Sequence, residues 1–314
     1  MKIVVTGALG HIGSSFIRVL PEHFSDLKII LIDNLMTQRY CSLFNLPNNA
    51  EYEFIDASLE NLDLSQILDH VDYVIHLAAI TDAAGSFGKA ELVEKNNLSS
   101  TKLVAEACAK SGAKLITLSS TSVYGTSATL VDENCSAAEL KPQSPYAITK
   151  LKEEEFVQSL VKSSGLKASI LRFGTIYGVS PGMRFHTAVN KFCWQASFNQ
   201  PITVWRTAYD QLRPYLDLRD ACRALVHIIK TDLFDGEIYN VLTKNITVRE
   251  VVDCIKEFKY DLTIHFVDNQ IMNQLSYEVA SKKFETTGFV FNGDIRKGIG
   301  ETMALLGNRT NGNR

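Results

Sequence analysis

The first half of the chain alternates short runs of β-branched and other apolar residues with longer segments of helical periodicity. Unbroken apolar runs are typical of strands buried on both faces of a parallel sheet, with the intervening helices covering those faces. The pattern predicts strands at Lys2–Thr6, Lys28–Asp33, Glu51–Ile55, Tyr73–Leu77, Lys114–Ser119 and Lys167–Phe173. It predicts helices at Ile12–Leu20, Leu64–Asp69, Ala90–Ser111 and Tyr146–Ser164. The expected fold class is α/β, with a doubly wound parallel sheet.

The rhythm changes after Phe173, where glycines and Pro181 predict a loop from Gly174 to Gly182. The elements predicted beyond it are an amphipathic helix at about Met183–Ser197, a strand at Ile202–Trp205, a helix and then a strand returning to the sheet within Tyr215–Asn240, and a helix at Val248–Phe258. The tail, residues 306–314, has little to bury and is expected to be disordered.

Composition narrows the class of protein. The 314 residues are 46% hydrophobic and 21% charged, as in an ordinary soluble enzyme. A net charge of -3 gives no reason to expect nucleic acid or an anionic membrane as a partner, and no apolar stretch approaches the roughly 20 residues that span a bilayer. The first residues run into a strand, leaving no room for a signal peptide, and the six cysteines are scattered. We expect a soluble, cytoplasmic protein without a metal site, nucleic-acid partner or membrane contact.

A glycine-rich turn follows the first predicted strand. Gly7, Gly10 and Gly13 are spaced as Gly-x-x-Gly-x-x-Gly, with His11 and Ile12 inside the motif. Without side chains, a phosphate can approach backbone N–H groups at the positive end of the following helix. Glycines also simply make tight turns, but the strand before and the helix after favour a dinucleotide site. All five residues are therefore cofactor-binding candidates.

Further cofactor candidates stand at the ends of the next strands. They are Asp33, Asn34, Asp56, Ala57, Leu77, Ala78 and Ala79. Asp33 lies 20 residues past Gly13, the spacing expected for a carboxylate on the adenosine ribose, and it would repel a 2′-phosphate, which favours NAD over NADP. A turn paired with Asn34 is the alternative for Asp33, and a plain strand-end turn is the alternative for Asp56. His76 is interpreted as a satisfied, half-buried histidine without a chemical role.

Three residues predict acid/base chemistry. Tyr146 and Lys150 are four residues apart, after a Ser144–Pro145 helix start, so they share one helical face. A free phenol has a pKa near 10, and a neighbouring ammonium and a positive nicotinamide ring would lower that pKa. Lys150 could also bind the nicotinamide ribose, while Ser120 orients the substrate hydroxyl whose proton Tyr146 removes. The glutamates at 153–155 are expected to form a solvated helix face, with Glu154 able to pair with Lys150.

Several ordered motifs resemble those of one family. The matching segments are Gly7–Gly13, Asp33–Leu35, His76–Ala79, Asn97, Ser119–Gly125, Ser144–Lys150, Leu171–Gly178 and Gln211–Tyr215. Over about residues 1–305 the chain resembles an extended short-chain dehydrogenase/reductase of the NAD-dependent sugar-nucleotide epimerase/dehydratase family. The resemblance implies a Rossmann-like NAD-binding domain, a smaller C-terminal α/β substrate domain, Asn97 at the cofactor, and homodimers paired through the helices Ala90–Ser111 and Tyr146–Ser164. We expect the NAD-binding domain to comprise residues 1–174 plus about 215–242, and the substrate domain about 175–214 plus 243–305.

The resemblance also supplies substrate-binding candidates. Arg213 matches the family arginine that binds the pyrophosphate, a task suited to its forked, charged head. Thr175 stands where the family often has an asparagine that contacts the sugar nucleotide, and Thr121 adjoins Ser120. Thr81 either lines the sugar pocket or caps a loop. Further phosphate candidates, or else ordinary surface charges, are Arg184, Lys282 and Arg296.

One departure from the family pattern favours a reaction. Family members that dehydrate at C4 and C6, or decarboxylate, usually have an acidic residue where this chain has Ser122, after Thr121. Elimination needs an additional acid/base group, whereas C4 epimerisation needs only hydride removal and return. The sequence therefore favours NAD-dependent C4 epimerisation of a nucleoside-diphosphate sugar through a 4-keto intermediate. The alternatives are a 4,6-dehydratase, an NAD(P)H-dependent keto-sugar reductase, or a non-catalytic NAD-binding regulatory module.

Overall fold

The computed structural model describes residues 1–82, 85–125, 130–136, 139–268 and 276–307. The strands in these residues are β1 (Lys2–Thr6), β2 (Lys28–Asp33), β3 (Glu51–Asp56), β4 (Tyr73–His76), β5 (Lys114–Ser120), β6 (Leu130–Val131), β7 (Ala168–Phe173), β8 (Thr175–Tyr177), β9 (Ile202–Trp205), β10 (Leu212–Asp217), β11 (Ile238–Val241), β12 (Lys244–Thr247), β13 (Ile264–Val267) and β14 (Glu278–Val279). The helices are α1 (His11–His23), α2 (Leu64–Ile67), α3 (Ala90–Ser111), α4 (Pro145–Ser164), α5 (Ala188–Ser197), α6 (Leu218–Thr231), α7 (Val248–Phe258), α8 (Lys282–Glu285) and α9 (Ile295–Gly307).

The main sheet has the strand order β11-β7-β5-β4-β1-β2-β3, and every neighbouring pair in it is parallel. The six strands predicted in the first half are all present, each within one residue of its expected bounds. One face packs against α1 and α6, and the other against α3 and α4, each through a separate apolar core. This confirms the α/β doubly wound fold. The strand order reverses between β1 and β4, which is where such sheets open a crevice for ligands.

The second half adds smaller sheets around a third apolar core. β10 lies between β8 and β12, and β9 pairs with β13. β6 pairs with β14 beside a smaller fourth apolar core. The helix and strand expected within Tyr215–Asn240 are α6 and β11, and β11 joins the main sheet as predicted. The division into two domains stays a prediction. Its expected boundary at about residue 215 falls inside β10, which pairs outside the main sheet.

Three segments differ from the sequence prediction. The helix expected from Met183 begins only at Ala188, because the side chain of Asn190 donates to the Arg184 carbonyl at 3.0 Å and holds the preceding segment away from the helix axis. β8 forms inside the expected loop, because β10 offers it a parallel edge. Helix α9 continues through Gly307, into the expected disordered tail, while residues 308–314 of that tail lie outside the described residues.

Helix α4 begins as its sequence indicates. Ser144 caps it, with its Oγ accepting from the Ala147 N–H at 3.2 Å, and Pro145 stands in the first turn, where a missing N–H costs nothing. The helix ends at Gly165, which adopts a left-handed φ of 68°. These two ends fix the position of Tyr146 and Lys150 relative to the sheet.

Candidate active site

A cleft of about 620 Å³ opens over the carboxyl ends of the main-sheet strands. The strand-end residues that line it are Thr6 of β1, Asp33 of β2, His76 of β4, Ser120 of β5 and Phe173 of β7. Side chains from the segment between β8 and α5, from β9 and from β10 form its opposite wall. The cleft therefore lies at the reversal of strand order and between the main sheet and the smaller sheets.

The glycine-rich turn forms the floor at one end of the cleft. A Cβ on Gly7, where φ is +66°, would lie 2.6 Å from the Ala78 nitrogen, and a Cβ on Gly13 would lie 2.5 Å from the Gly7 oxygen. Gly10 begins α1 with extended backbone and without a side chain over the helix end. The turn is thus an open cradle at a helix N-terminus, which fits the pyrophosphate of a dinucleotide. His11 and Ile12 also line the cleft, as expected.

Asp33 is placed at the rim of this cradle. Its two carboxylate oxygens accept from the backbone N–H groups of Leu9 and Leu35, each at 3.0 Å, so Asp33 also holds the turn in shape. Asn34 lines the cleft beside it and donates to the Ser58 hydroxyl at 3.0 Å. Asp33 therefore supports the turn and also borders the cleft, and its contact with an adenosine ribose stays a prediction.

The remaining cofactor candidates divide into two groups. Ala57, Leu77, Ala78 and Ala79 line the cleft. Asp56 and Asn97 do not belong to its lining. Asp56 is exposed at the end of β3, and the fully buried Asn97 accepts from the Ile80 N–H at 2.8 Å and donates to the Ile80 carbonyl at 2.9 Å. Asn97 therefore braces the backbone that follows β4, instead of reaching the cleft itself.

Ser120, Tyr146 and Lys150 meet on one wall of the cleft. Ser120 forms a hydrogen bond with the half-buried Tyr146 hydroxyl, and the Lys150 Nζ lies 5.9 Å from the centroid of the Tyr146 ring. The Ser120 Oγ also accepts from the Ser122 N–H at 3.1 Å and lies 2.9 Å from the Ser122 Oγ. This arrangement brings an acid/base candidate, a cation and a hydroxyl donor to the same point.

The environment shifts the two titratable groups of this wall. Burial raises the pKa of Tyr146, and Lys150 opposes that shift without cancelling it. For Lys150, burial lowers the pKa, but Glu153 and Tyr146 together outweigh burial, so the pKa is raised and the ammonium persists at neutral pH. The phenol therefore keeps its proton more firmly than a free tyrosine does.

The glutamates of α4 were interpreted wrongly from the sequence. Glu153 and Glu154 are each only 3% exposed, and only Glu155 is on the solvated face. Glu153, and not Glu154, pairs with Lys150, with its Oε2 2.9 Å from the Lys150 Nζ. Glu154 instead accepts hydrogen bonds from Nη2 and Nε of the buried Arg172, at 2.6 and 2.9 Å. Ala147, Lys150 and Glu154 share one helical face, and this spacing was the sequence signal that Glu154 is buried.

The substrate candidates line the cleft away from the glycine-rich turn. They are Thr81, Thr121, Thr175 and Arg213. The Arg213 guanidinium donates to the Leu212 carbonyl at 2.8 Å and lies 5.5 Å from the Tyr277 ring, so it is stacked and oriented. Thr81 accepts a hydrogen bond from the Arg184 guanidinium.

Arg184 is a stronger cationic feature than the sequence indicated. It lines the cleft together with Arg39 and His186. Burial and the neighbouring Arg184 lower the pKa of His186 to about 4, so the two arginines, and not the histidine, carry the positive charge at neutral pH. Burial and the neighbouring Arg39 lower the pKa of Arg184 to about 10, which still leaves it charged at neutral pH. The other two phosphate candidates, Lys282 and Arg296, are exposed and lie outside the lining. A cation beside Thr81 suits an anionic part of a ligand.

Among the residues that the structure describes, no cluster of histidine, cysteine and carboxylate side chains could hold a metal ion. None of the helices in the described ranges has the length and apolar character required to traverse a bilayer.

Residues 3–241 match the family model described as the NAD dependent epimerase/dehydratase family. The chain belongs to this family. The resemblance inferred from the motifs is therefore confirmed, and so is NAD as the cofactor of an enzyme family. The glycine-rich turn is consistent with that cofactor, because it lies at the N-terminus of α1, where backbone N–H groups favour a phosphate, and Gly10 has no side chain over that end.

Three relatives illustrate the range of the family. The uncharacterized UDP-glucose epimerase YtcB of Bacillus subtilis (strain 168) is 31% identical over 281 residues, which are 85% of each chain. The trifunctional UDP-glucose 4,6-dehydratase/UDP-4-keto-6-deoxy-D-glucose 3,5-epimerase/UDP-4-keto-L-rhamnose-reductase RHM2 of Arabidopsis thaliana is 29% identical, over 96% of this chain and 46% of its own. The chain thus spans about half the length of the trifunctional plant relatives that it matches.

The third relative is a solved structure. UDP-glucuronic acid 4-epimerase from Bacillus cereus, in complex with UDP-glucuronic acid and NAD, superposes with a TM-score of 0.88 at 27% identity, over 98% of this chain and 99% of that chain. The Rossmann-like fold expected from the motifs is confirmed by this likeness.

Proposed function

We propose that the protein epimerises a nucleoside-diphosphate sugar at C4, using NAD that is restored in each turnover. The observation that supports this most directly is the meeting of Ser120, Tyr146 and Lys150 beside Thr121 and Ser122 on one wall of the cleft. Tyr146 provides the acid/base group, and Ser120 and Lys150 orient and stabilise it. Ser122, preceded by Thr121, stands where dehydratases of the family usually have an acidic residue, so this wall favours hydride removal and return over elimination.

In this mechanism the chain's residues handle the proton. The Ser120 Oγ interacts with the Ser122 N–H and hydroxyl, which orients it to bind the C4 hydroxyl of the sugar. Tyr146 accepts the proton of the C4 hydroxyl, and Lys150 stabilises the phenolate that carries out this step. The glycine-rich turn and Asp33 would hold NAD, which would supply a hydride acceptor for C4 and, once reduced, a hydride donor to either face of the ketone. Tyr146 returns its proton to the oxygen at C4, which restores the hydroxyl.

The substrate is held by groups farther along the cleft. Arg213 is placed to bind the pyrophosphate, and Thr81, Thr121 and Thr175 to contact the sugar nucleotide. Among the cofactor contacts we propose Asp33 and Asn34 at the adenosine end, with Asn97 acting through the Ile80 backbone that it supports. The relatives named above make UDP-glucose and UDP-glucuronic acid the first substrates to test.

The assembly and location follow the same proposal. We propose a cytoplasmic homodimer paired through α3 and α4, whose outer faces carry the exposed apolar residues Leu92, Leu103 and Ile148. We also propose a cofactor domain of residues 1–174 plus about 215–242, and a substrate domain formed by about 175–214 plus 243–305. Light scattering of the purified chain tests the dimer, and a monomer at assay concentration would exclude it.

One assay distinguishes the candidate reactions. The protein is incubated in deuterated water with UDP-glucose or UDP-glucuronic acid, while proton NMR follows the sugar and absorbance follows NADH. We expect the C4 epimer, no deuterium at C5 and no net NADH. Deuterium at C5 with loss of water would favour a 4,6-dehydratase, and steady NADH formation would favour a dehydrogenase. Consumption of added NADH with a keto sugar would indicate a reductase.

A regulatory module without catalysis is the rival from another class. The intact arrangement of Ser120, Tyr146 and Lys150 speaks against it, because a binding module needs NAD contacts but no acid/base group. Bound NAD without turnover of any keto or hydroxy sugar nucleotide, in a wide panel, would support that rival.

A further inference from the structure

Glu153 lies behind the catalytic wall and has no place in the mechanism described so far. Its Oε2 accepts from the Lys150 Nζ at 2.9 Å, and the side chains of both residues are almost completely buried, at 4% and 6% exposure. Within the described residues, the other oxygen, Oε1, is buried without a hydrogen-bond partner. A buried carboxylate that is only half satisfied is costly, and its charge is balanced chiefly by the ammonium beside it.

A directed chain of hydrogen bonds holds this carboxylate from the other side. The Thr101 hydroxyl of α3 donates to Oε2 of Glu153 at 2.8 Å, since a carboxylate can only accept. The Thr101 Oγ1 must then accept from Nε2 of His76, 3.2 Å away. Burial lowers the pKa of His76 to about 3, so the ring is neutral and its Nδ1 accepts from the Thr6 hydroxyl at 2.7 Å.

The chain ends at the cofactor cradle. The Thr6 Oγ1 accepts from the Ala78 N–H at 3.3 Å, and Ala78 is the residue that a Cβ on Gly7 would strike. Five consecutive links therefore connect the backbone beside the glycine-rich turn to the ammonium of Lys150. His76, interpreted from the sequence as without a chemical role, is the centre of this connection and holds Thr101 in its donating orientation.

The charges around Tyr146 show what Glu153 can do. On α4 it faces Lys150 and Glu153, and from the segment before α5 it faces Arg184. Lys150 in turn faces Glu154 in addition to Glu153 and Tyr146, and it faces the neutral His76 of β4. Glu153 is the anion among the groups that act on Tyr146, and it sits on the cation that would otherwise favour the phenolate.

We propose that Glu153 is a positioning residue that fixes the Lys150 ammonium and partly neutralises it, so that Tyr146 stays protonated until a positively charged nicotinamide ring is bound. This inference rests on the proposed acid/base role of Tyr146. Its physical basis is that one ammonium shared between a carboxylate and a phenol stabilises the phenolate less than an unshared ammonium does. Base strength is thereby coupled to the presence of the oxidised cofactor.

The test is the ionisation of Tyr146 in the cofactor-free protein. Phenolate absorbance is titrated in the full chain and in Tyr146→Phe, and the difference isolates Tyr146 from the other ten tyrosines of the eleven. Glu153→Gln keeps the shape but removes the charge. The Tyr146 phenolate itself favours the Lys150 ammonium, which then has no carboxylate to share it at Oε2, so we expect the Tyr146 midpoint to fall by about 1 to 3 pH units. The acid limb of the kcat profile of the NAD-loaded enzyme should move in the same direction.

Glu155→Gln is the matched control. It removes the same charge two residues away on the exposed face of α4, where water screens it, and should leave the Tyr146 midpoint unchanged. An unchanged midpoint in a folded Glu153→Gln protein would overturn the proposal and leave Glu153 a packing residue. If that variant does not fold, Glu153→Asp serves instead. The shorter aspartate moves the negative charge one methylene away from Lys150, so Glu153→Asp should lower the Tyr146 midpoint by less than Glu153→Gln would. An unchanged midpoint in Glu153→Asp would again overturn the proposal.

The outcome is independent of the reaction. The titration uses neither substrate nor cofactor, so it can succeed when the epimerase assay fails. Conversely, C4 epimerisation with an unaltered Tyr146 midpoint in Glu153→Gln would retain the proposed function and remove only the role of Glu153.

Discussion

Lys150 follows Tyr146 by one helical turn on α4, and its Nζ lies 5.9 Å from the centroid of the Tyr146 ring. An opposite charge at about 4–6 Å is close enough to favour the ionised form of a titratable group. Burial nevertheless raises the pKa of Tyr146 overall, and Glu153, which accepts from Lys150, adds to that rise. The lysine alone therefore does not bring the pKa of this tyrosine below its usual value, and a bound, positively charged nicotinamide ring would favour the phenolate further.

Tyr146→Phe removes only the hydroxyl that we assign to proton transfer. We expect kcat for sugar epimerisation to fall by about 10²- to 10⁴-fold, the usual contribution of a positioned acid/base. NAD should remain bound, because the ring and Lys150 stay in place. Product formation by NMR, together with the NAD content of the purified protein, checks both parts.

The control for this variant is Tyr260→Phe. Tyr260 is 93% exposed and far from the cleft lining, so the same loss of a hydroxyl should leave kcat unchanged. Full turnover by Tyr146→Phe would contradict the proposed mechanism, in which the Tyr146 hydroxyl transfers the proton.

Gly13→Ala and Gly10→Ala separate the folding role of the turn from its cofactor role. A Cβ on Gly13 would lie 2.5 Å from the Gly7 oxygen and 2.7 Å from the Ala8 oxygen, and backbone cannot yield cheaply. We expect Gly13→Ala to lose about 1–3 kcal/mol of unfolding free energy without any cofactor, as overpacked cores do. A Cβ on Gly10 would meet the Gly7 oxygen at 3.2 Å, a milder contact. We therefore expect Gly10→Ala to lower the unfolding free energy less than Gly13→Ala does, and to act mainly by weakening NAD binding.

Denaturant unfolding of both cofactor-free variants, followed by NAD titration, measures the two effects. Equal stability of Gly13→Ala and the parent protein would mean that α1 can move away from the turn. Unaltered NAD affinity in Gly10→Ala would place the pyrophosphate elsewhere in the cleft.

Much of the fold was readable from the sequence because its signals are local. The apolar runs of β1 and β2, and the cap and proline that begin α4, do not depend on distant residues. β8 was missed because a three-residue strand forms only where β10 offers an edge, and that edge is some 40 residues away in the chain. The late start of α5 has a similar cause in the Asn190 side chain.

The site was predictable where a residue's role follows from its place at a strand or helix end. Gly13, Asp33 and Tyr146 are of this kind. The burial of Glu153 could not be inferred, because a run of three glutamates is usually solvated and its partner Thr101 lies on another helix. Asn97 was assigned to the cofactor from a motif, whereas its hydrogen bonds go to the backbone of Ile80.

Asp33→Asn tests the preference for NAD over NADP. The carboxylate borders the cleft at the adenosine end, where a 2′-phosphate would meet its negative charge. We expect the ratio of the NADP to NAD dissociation constants to fall about tenfold, equivalent to 1.4 kcal/mol. Both constants should be measured by calorimetry, because the variant also disturbs the bonds to Leu9 and Leu35. Asp56→Asn, outside the lining, is the control, and a similar change in its ratio would refute the assignment.

Arg213→Leu tests where the nucleotide of the substrate is held. Arg213 lines the cleft away from the NAD cradle, and stacking on Tyr277 orients its guanidinium. A charge-assisted bond to a pyrophosphate contributes about 1.5–3 kcal/mol, so KM should rise roughly 10- to 100-fold. Because the phosphates do not react, kcat should change little, and NAD affinity should stay the same. Arg296→Leu, an exposed arginine paired with Glu257, should leave KM unaltered. A fall in kcat at constant KM would instead place Arg213 at the reacting sugar.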